Sequence, residues 1–171
     1  NVAPWRLWLD GGGALASSAP SSEAADRFTF DAAIGTVGYG HDGGFDFIKP
    51  TPTLNFTWEP TRDGKGLSYL TEPLDRDVVI AGSGHADLWL RSESAQANLE
   101  IVLSEVTPDG DEVRIQNGVL DTGFRKVDEA RSDDFLTQIK YSAEDYEDVP
   151  VGEWIQVNLP IFPVTHPLRA G

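Results

Sequence analysis

Along much of the chain, apolar and polar residues alternate one for one. "TLNFTWE" (53–59) sets Leu54, Phe56 and Trp58 against Asn55, Thr57 and Glu59, and "RFTFDA" (27–32) sets Phe28 and Phe30 against Arg27, Thr29 and Asp31. "HADLWLRSE" (85–93) opposes Ala86, Leu88 and Leu90 to Asp87, Trp89 and Arg91. "EWIQVNLPIF" (153–162) alternates Ile155, Val157 and Leu159 and ends near Pro160 and Pro163. A period of two is the signature of a strand with one buried face. "RDVVIAG" (76–82) is a short β-branched run closed by Gly82. "ANLEIVLSEV" (97–106) and "DEVRIQNGVL" (111–120) flank Thr107-Pro108-Asp109-Gly110, whose Asp-Gly pair predicts a hairpin turn. Helical patterns are few. "SSEAADRF" (21–28) is too short to bury a face, and "SAEDYEDV" (142–149) predicts one turn that starts at a Ser N-cap. The elements predict an all-β sandwich with long loops and at most short helical turns.

Two stretches read as loops. "GGGALASSAPSS" (11–22) is a surface connector, and "GTVGYGHDGGFDF" (35–47) carries five Gly in its first ten residues. The whole chain has 171 residues, and 40% of them are hydrophobic, with five Trp, eight Phe and four Tyr. That suits one domain with a core of its own. The net charge of −15 disfavours nucleic acid and anionic membranes as partners. No run reaches the roughly 18 apolar residues of a membrane span. The chain has no Cys, so disulfides, thiolate metal sites and Cys nucleophiles drop out together, while the compartment, cytoplasmic or secreted, stays open. It also has no Met, even at position 1, so the expectation is a processed chain or a piece of a larger protein.

"AGSGHADLWLRSES" (81–94) holds Ser83, His85 and Asp87, the residue types of a hydrolase triad. A nucleophile elbow requires G-x-S-x-G between a strand and a helix. Here Ala81 and His85 stand where the two Gly belong, and a strand pattern follows. Along an extended segment these three side chains sit about 6.5–7 Å apart, too far for a working triad. Gly82-Ser83-Gly84 is instead expected to be a tight connection between two strands. No cofactor is expected. Asp109, Asp111 and Glu112 around Gly110, with Asp63 elsewhere, lack the EF-hand array, so a structural Ca²⁺ would have to draw on separate loops. His41, His85 and His166 are too scattered to suggest zinc. "LDGGGAL" (9–15) and "GYGHDGG" (38–44) have neither a Walker Lys nor a following helix.

Among the aromatics, Trp58 falls on the apolar face of its strand and is expected in the core. Trp89 shares its face with Asp87 and Arg91, which predicts partial exposure and packing against a neighbouring domain. Tyr39 and His41, in the Gly-rich loop, are the weaker ligand-contact candidates.

Three stretches together carry a resemblance. "PWRLWLDGGGALASSAPSSEAADRFTFD" (4–31) resembles the opening of the C-terminal domain of X-Pro dipeptidyl-peptidases and CocE/NonD-type acyl hydrolases. "LSYLTEPLDRDVVIAGSGHADLWLRSESAQANLEIVLSEVTPDGDEVRIQNGVL" (67–120) resembles its most recognisable part, and "THPLRAG" (165–171) its closing segment. The resemblance spans nearly the whole chain and rests on the order and spacing of motifs. It implies a galactose-binding-domain-like jelly roll, residues 1–171 forming a single non-catalytic domain. An α/β-hydrolase domain would precede residue 1 and carry the triad, and no catalytic residue maps onto this sequence. The implied role is to pack on the catalytic domain, shaping the substrate cleft or an oligomer interface. The Gly-rich insert at 35–47 replaces a shorter Pro-rich link, and family members continue past the final Gly with further strands. The rival readings are a free-standing carbohydrate- or ligand-binding module on the same fold and a domain that joins copies of the chain.

Overall fold

The computed structural model describes residues 3–31, 39–40, 55–56 and 64–171, and of 39–40 and 55–56 only the backbone. The chain forms two compact units, one of Arg6–Glu72 and one of Pro73–Gly171 with Asn1–Trp5.

In the first unit, strands β1 (Trp8–Asp10) and β2 (Ala14–Ala16) form a short antiparallel hairpin. Leu15 N–H donates to Leu70 O and Leu70 N–H to Gly13 O, both at 2.8 Å, which ties the 64–72 segment to this hairpin. Strands β3 (Tyr39–Gly40) and β4 (Asn55–Phe56) pair antiparallel, Tyr39 opposite Phe56. The Tyr69 hydroxyl donates to Asp26 at 2.6 Å. Its burial, and then the adjacent carboxylate, push its pKa up to about 12. Two expected strands fare differently. Residues 27–31 join no ladder among the described residues, and Phe28 and Phe30 lie exposed, Phe30 at 79%. Alternation alone did not make a ladder there among the described residues, since a strand also needs a neighbour to take up its backbone groups. Of 53–59 only β4 is described, and Trp58 lies outside the described residues.

The second unit holds four long strands: β5 (Val78–Arg91), β6 (Asn98–Val106), β7 (Glu112–Asp121) and β8 (Trp154–Leu168). They form two antiparallel pairs, β5 with β8 and β6 with β7. The β6–β7 hairpin turns where the Asp-Gly pair predicts. Gly110 N–H donates to Thr107 O at 2.8 Å, and Gly110 takes the φ of +89° that a side chain disfavours. The expected break at Gly82-Ser83-Gly84 is absent: β5 runs straight through it. The irregularity sits on the partner strand, where Gly82 pairs Val164 and Gly84 pairs Ile161, so Phe162 and Pro163 together face Ser83. An extra residue on one strand is a β-bulge, and Pro163, with no N–H to leave unpaired, suits it. Gly82, at φ +119°, absorbs the local twist within the strand. β8 is also longer than expected and carries Pro160, Pro163 and Pro167. It has one hydrogen-bonded neighbour among the described residues, and an edge strand tolerates proline.

Alternation sends one face of each pair into a shared core. Leu120, Ile155, Val157 and Leu159 are buried, with Ala86, Leu88, Leu90, Leu99 and Ile101 packed against them. The two pairs thus stack as the layers of a β-sandwich. Between β7 and β8 the chain makes a long excursion that closes the core with Ile139 and Val149. Buried Thr122 donates its hydroxyl to Ala97 O at 2.7 Å, and Val149 N–H donates to Ala95 O at 3.0 Å. Arg125 donates to Thr122 O, Glu147 O and Glu147 Oε2, and Lys126 sits 2.8 Å from the other Glu147 oxygen. The expected helical turn is a 3₁₀ turn over Ala143–Asp145; Ser142 does not cap it by side chain but hydrogen-bonds the Asp145 carboxylate. The β7 backbone lies close against β8 at Gly118, where an added Cβ would collide with Pro160 O and lie 2.8 Å from its carbonyl carbon. Nearby, Gln116 donates to Pro163 O at 3.1 Å, and His166 meets Glu105 at 2.9 Å across the layers.

Two outcomes follow from this packing. Gly118→Ala should destabilise the chain by about 1–3 kcal/mol or more, since backbone cannot swing aside as a side chain can. Gly84→Ala, whose Cβ would meet only Ile161 at 3.7 Å, should be near neutral, as thermal unfolding of both variants would show. The hydrogen bond from Lys126 and its charge, with help from Arg125, hold Glu147 below its ordinary pKa of 4.5. A depressed carboxylate pKa stabilises the fold above the unfolded value and loses that effect as pH falls through the folded one. The stability gap between the wild type and Glu147→Gln, measured by urea unfolding, should therefore be widest above about pH 5 and shrink below it.

Candidate interaction face

The outward face of the β5–β8 pair is built by the same alternation that fills the core. β5 turns His85, Asp87, Trp89 and Arg91 outward, while β8 turns Trp154, Gln156 and Asn158. Register sets Trp89 opposite Gln156 and Arg91 opposite Trp154, which makes Trp154 the diagonal neighbour of Trp89. Trp89 is 67% exposed and Trp154 48%. The Arg91 guanidinium lies 5.1 Å from the Trp154 ring centroid, a cation–π contact that holds the long side chain flat on the sheet. Phe162, beside the bulge, and Val79 are also exposed. Polar residues complete the face: Asn158 donates to Asp87 at 2.5 Å, and His85 Nε2 lies 3.5 Å from the other Asp87 oxygen. Asn158 Oδ1 is buried and has no donor among the described residues.

Trp89 was legible from its sequence neighbours. Trp154 was equally available, since it stands in antiphase to Ile155, Val157 and Leu159, but its weight comes from lying across the ladder from Arg91. Phe162 was hidden by the bulge. The side chain of Tyr39 and the whole of His41 lie outside the described residues, so the structure brings neither to this face.

The geometry gives hydrolysis no foothold at Ser83. His85 is directed to Asp87, but Ser83 makes no hydrogen bond to His85, and the three lie along one continuous strand. Glu112 accepts from the Ser104 hydroxyl at 2.6 Å, and Asp111 N–H donates to Thr107 Oγ1 at 3.2 Å. Among the described residues, no group of three or more His, Cys, Asp or Glu is gathered where it could hold a metal ion. No helix among them is long and apolar enough to cross a membrane.

Comparison with known proteins places this β-rich arrangement. Residues 2–171 match the family model described as the X-Pro dipeptidyl-peptidase C-terminal non-catalytic domain. The chain belongs to that family. Among solved structures it is similar to a CocE/NonD family hydrolase from Staphylococcus aureus, with a TM-score of 0.53 and 19% sequence identity. That similarity covers 58% of this chain and 20% of the hydrolase, so it speaks to the fold, and the chain spans about a fifth of that protein's length. No curated protein matches.

Proposed function

We propose that this chain is the galactose-binding-like, jelly-roll accessory domain of a serine hydrolase of the X-Pro dipeptidyl-peptidase or CocE/NonD type. Its outer β5–β8 face docks on the α/β-hydrolase catalytic domain of the parent protein and walls part of the substrate cleft. The observation that carries this is Trp89. A side chain of that size, two-thirds exposed beside Trp154 and a pre-ordered Arg91, has the composition of an interface hot spot rather than of ordinary surface. Arg91 loses little further freedom on docking because Trp154 already positions it. The ring of Asp87, Gln156 and Asn158 around the aromatics is the polar rim such interfaces carry. Chemistry stays with the catalytic domain, where acylation and deacylation of a Ser would take place.

The test is a titration of the chain against the separately produced catalytic domain of the parent, followed by calorimetry. Trp89→Ala should weaken association by about 2 kcal/mol, roughly 30-fold, as truncation of a central Trp does. Val119→Ala, on the outer face of β7, should leave it unchanged. Equal affinity for wild type and Trp89→Ala would place the docking face elsewhere. In the same preparation the isolated chain should not turn over a nitrophenyl ester, and turnover abolished by Ser83→Ala would overturn the non-catalytic reading.

A further inference from the structure

The excursion between β7 and β8 forms a wide-open cleft of about 460 Å³, lined by residues outside the four long strands and unused by the docking role. Its lining includes Asp128, Arg131, Gln138, Lys140, Tyr141 and Asp145. The backbone that carries them is tied at several points. Asp128 N–H donates to Gln138 O at 2.7 Å, and Lys140 N–H to Lys126 O at 2.9 Å. The Ser132 hydroxyl donates to Asp128 O at 2.8 Å and accepts from Gln138 N–H at 2.9 Å. Ile139, between two of the lining residues, is anchored in the core. The Tyr141 ring, 62% exposed, rests against Phe124 with centroids 5.6 Å apart, and Phe124 is held in turn by Tyr146 at 5.1 Å. The backbone of the cleft is therefore tied in place, and the Tyr141 ring is propped from behind.

Among the described residues, Lys65, Arg125, Lys126 and Arg169 each take a carboxylate, and the remaining Lys and Arg side chains do not. The side chains of Arg131 and Lys140 pair with no described residue, although the chain carries a net charge of −15. In the same cleft the Asp128 carboxylate likewise pairs with no described residue, while Asp145 accepts from Ser142. Two free cations, a free carboxylate and an aromatic wall on one rigid frame match one kind of solute. It has an anionic end, a cationic end and an apolar body.

We infer that this cleft binds a small zwitterion, a free amino acid or a short peptide with both termini unblocked. Arg131 and Lys140 take its carboxylate, Asp128 with Asp145 takes its ammonium, and Tyr141 covers its side chain. Each is a charge-assisted contact, roughly twice as strong as a neutral hydrogen bond. The aromatic wall favours a large apolar side chain, through stacking.

The experiment is an amide NMR titration of the whole chain with L-phenylalanine, N-acetyl-L-phenylalanine, L-phenylalanine amide and L-alanyl-L-phenylalanine. Saturable shifts confined to residues near 128–145 are expected with the first and last, and whichever of the two binds tighter assigns the ligand as amino acid or peptide. The N-acetyl and amide analogues, each missing one charge, should bind about tenfold more weakly, as should the Arg131→Gln/Lys140→Gln double variant toward L-phenylalanine. Asp128→Asn should lower affinity for the amide and leave the N-acetyl compound unaffected. The spectrum of each variant reports that it remains folded, since all three positions are on the surface. Shifts that do not saturate, analogues that bind as well as the parent, or a double variant with unchanged affinity would each overturn the proposal.

Discussion

The packing of the second unit turns on one close approach, that of the β7 backbone at Gly118 to the β8 backbone at Pro160. Any side chain at 118 would hold the layers apart at this point. Once the backbones meet, Leu120 on one strand and Leu159 on the other share a core, with Ile101, the cross-strand partner of Gly118, filling in from β6. Gln116 reaches Pro163 and His166 reaches Glu105 because the strands are already that close. Hydrophobic burial supplies the drive, and the missing Cβ at 118 decides the geometry in which it can be realised.

The rest of the molecule follows from having two thin layers. Each long strand has one hydrogen-bonded neighbour among the described residues, so each layer presents an outer face and, among those residues, two edges. Prolines at 160, 163 and 167 keep β8 from offering a regular edge to a stray strand. On its outer face the β5–β8 pair carries Trp89 and Trp154, whereas the β6–β7 pair carries Val102 and Val119 among Glu100 and Asn117. The large aromatics thus lie on one outer face and smaller aliphatic side chains on the other. The excursion that closes the core from Thr122 to Glu153 performs a second task, because the bonds that order it also fix the walls of the charged cleft.

The strands of the second unit were legible because burial on one face and solvent on the other write a period of two into the residues. The inward sets Ala86, Leu88, Leu90 and Ile155, Val157, Leu159 fall where alternation puts them, and the Asp-Gly turn falls where its glycine is needed. Non-local features were not legible. Gly82 and Gly84 read as a turn, yet the extra residue that accounts for them lies some eighty positions away, at Phe162 and Pro163. Phe28 and Phe30 alternate like strand residues, but pairing depends on a partner that a local pattern cannot reveal. The cleft residues follow no period at all. Asp128, Arg131 and Lys140 sit in irregular backbone, where side-chain direction is set by the individual hydrogen bonds of Ser132 and Gln138. The order and spacing of motifs, which do not depend on this geometry, carry the family.

That Trp89 marks a surface buried in the parent protein is the claim most open to direct measurement. Hydroxyl-radical footprinting of the isolated chain and of the intact parent would compare oxidation of Trp89 and Trp154 with that of Tyr141, which lies off the face. The account predicts that both Trp are strongly protected in the parent and readily oxidised in the isolated chain, while Tyr141 reacts alike in the two. Equal oxidation of Trp89 in both would contradict it.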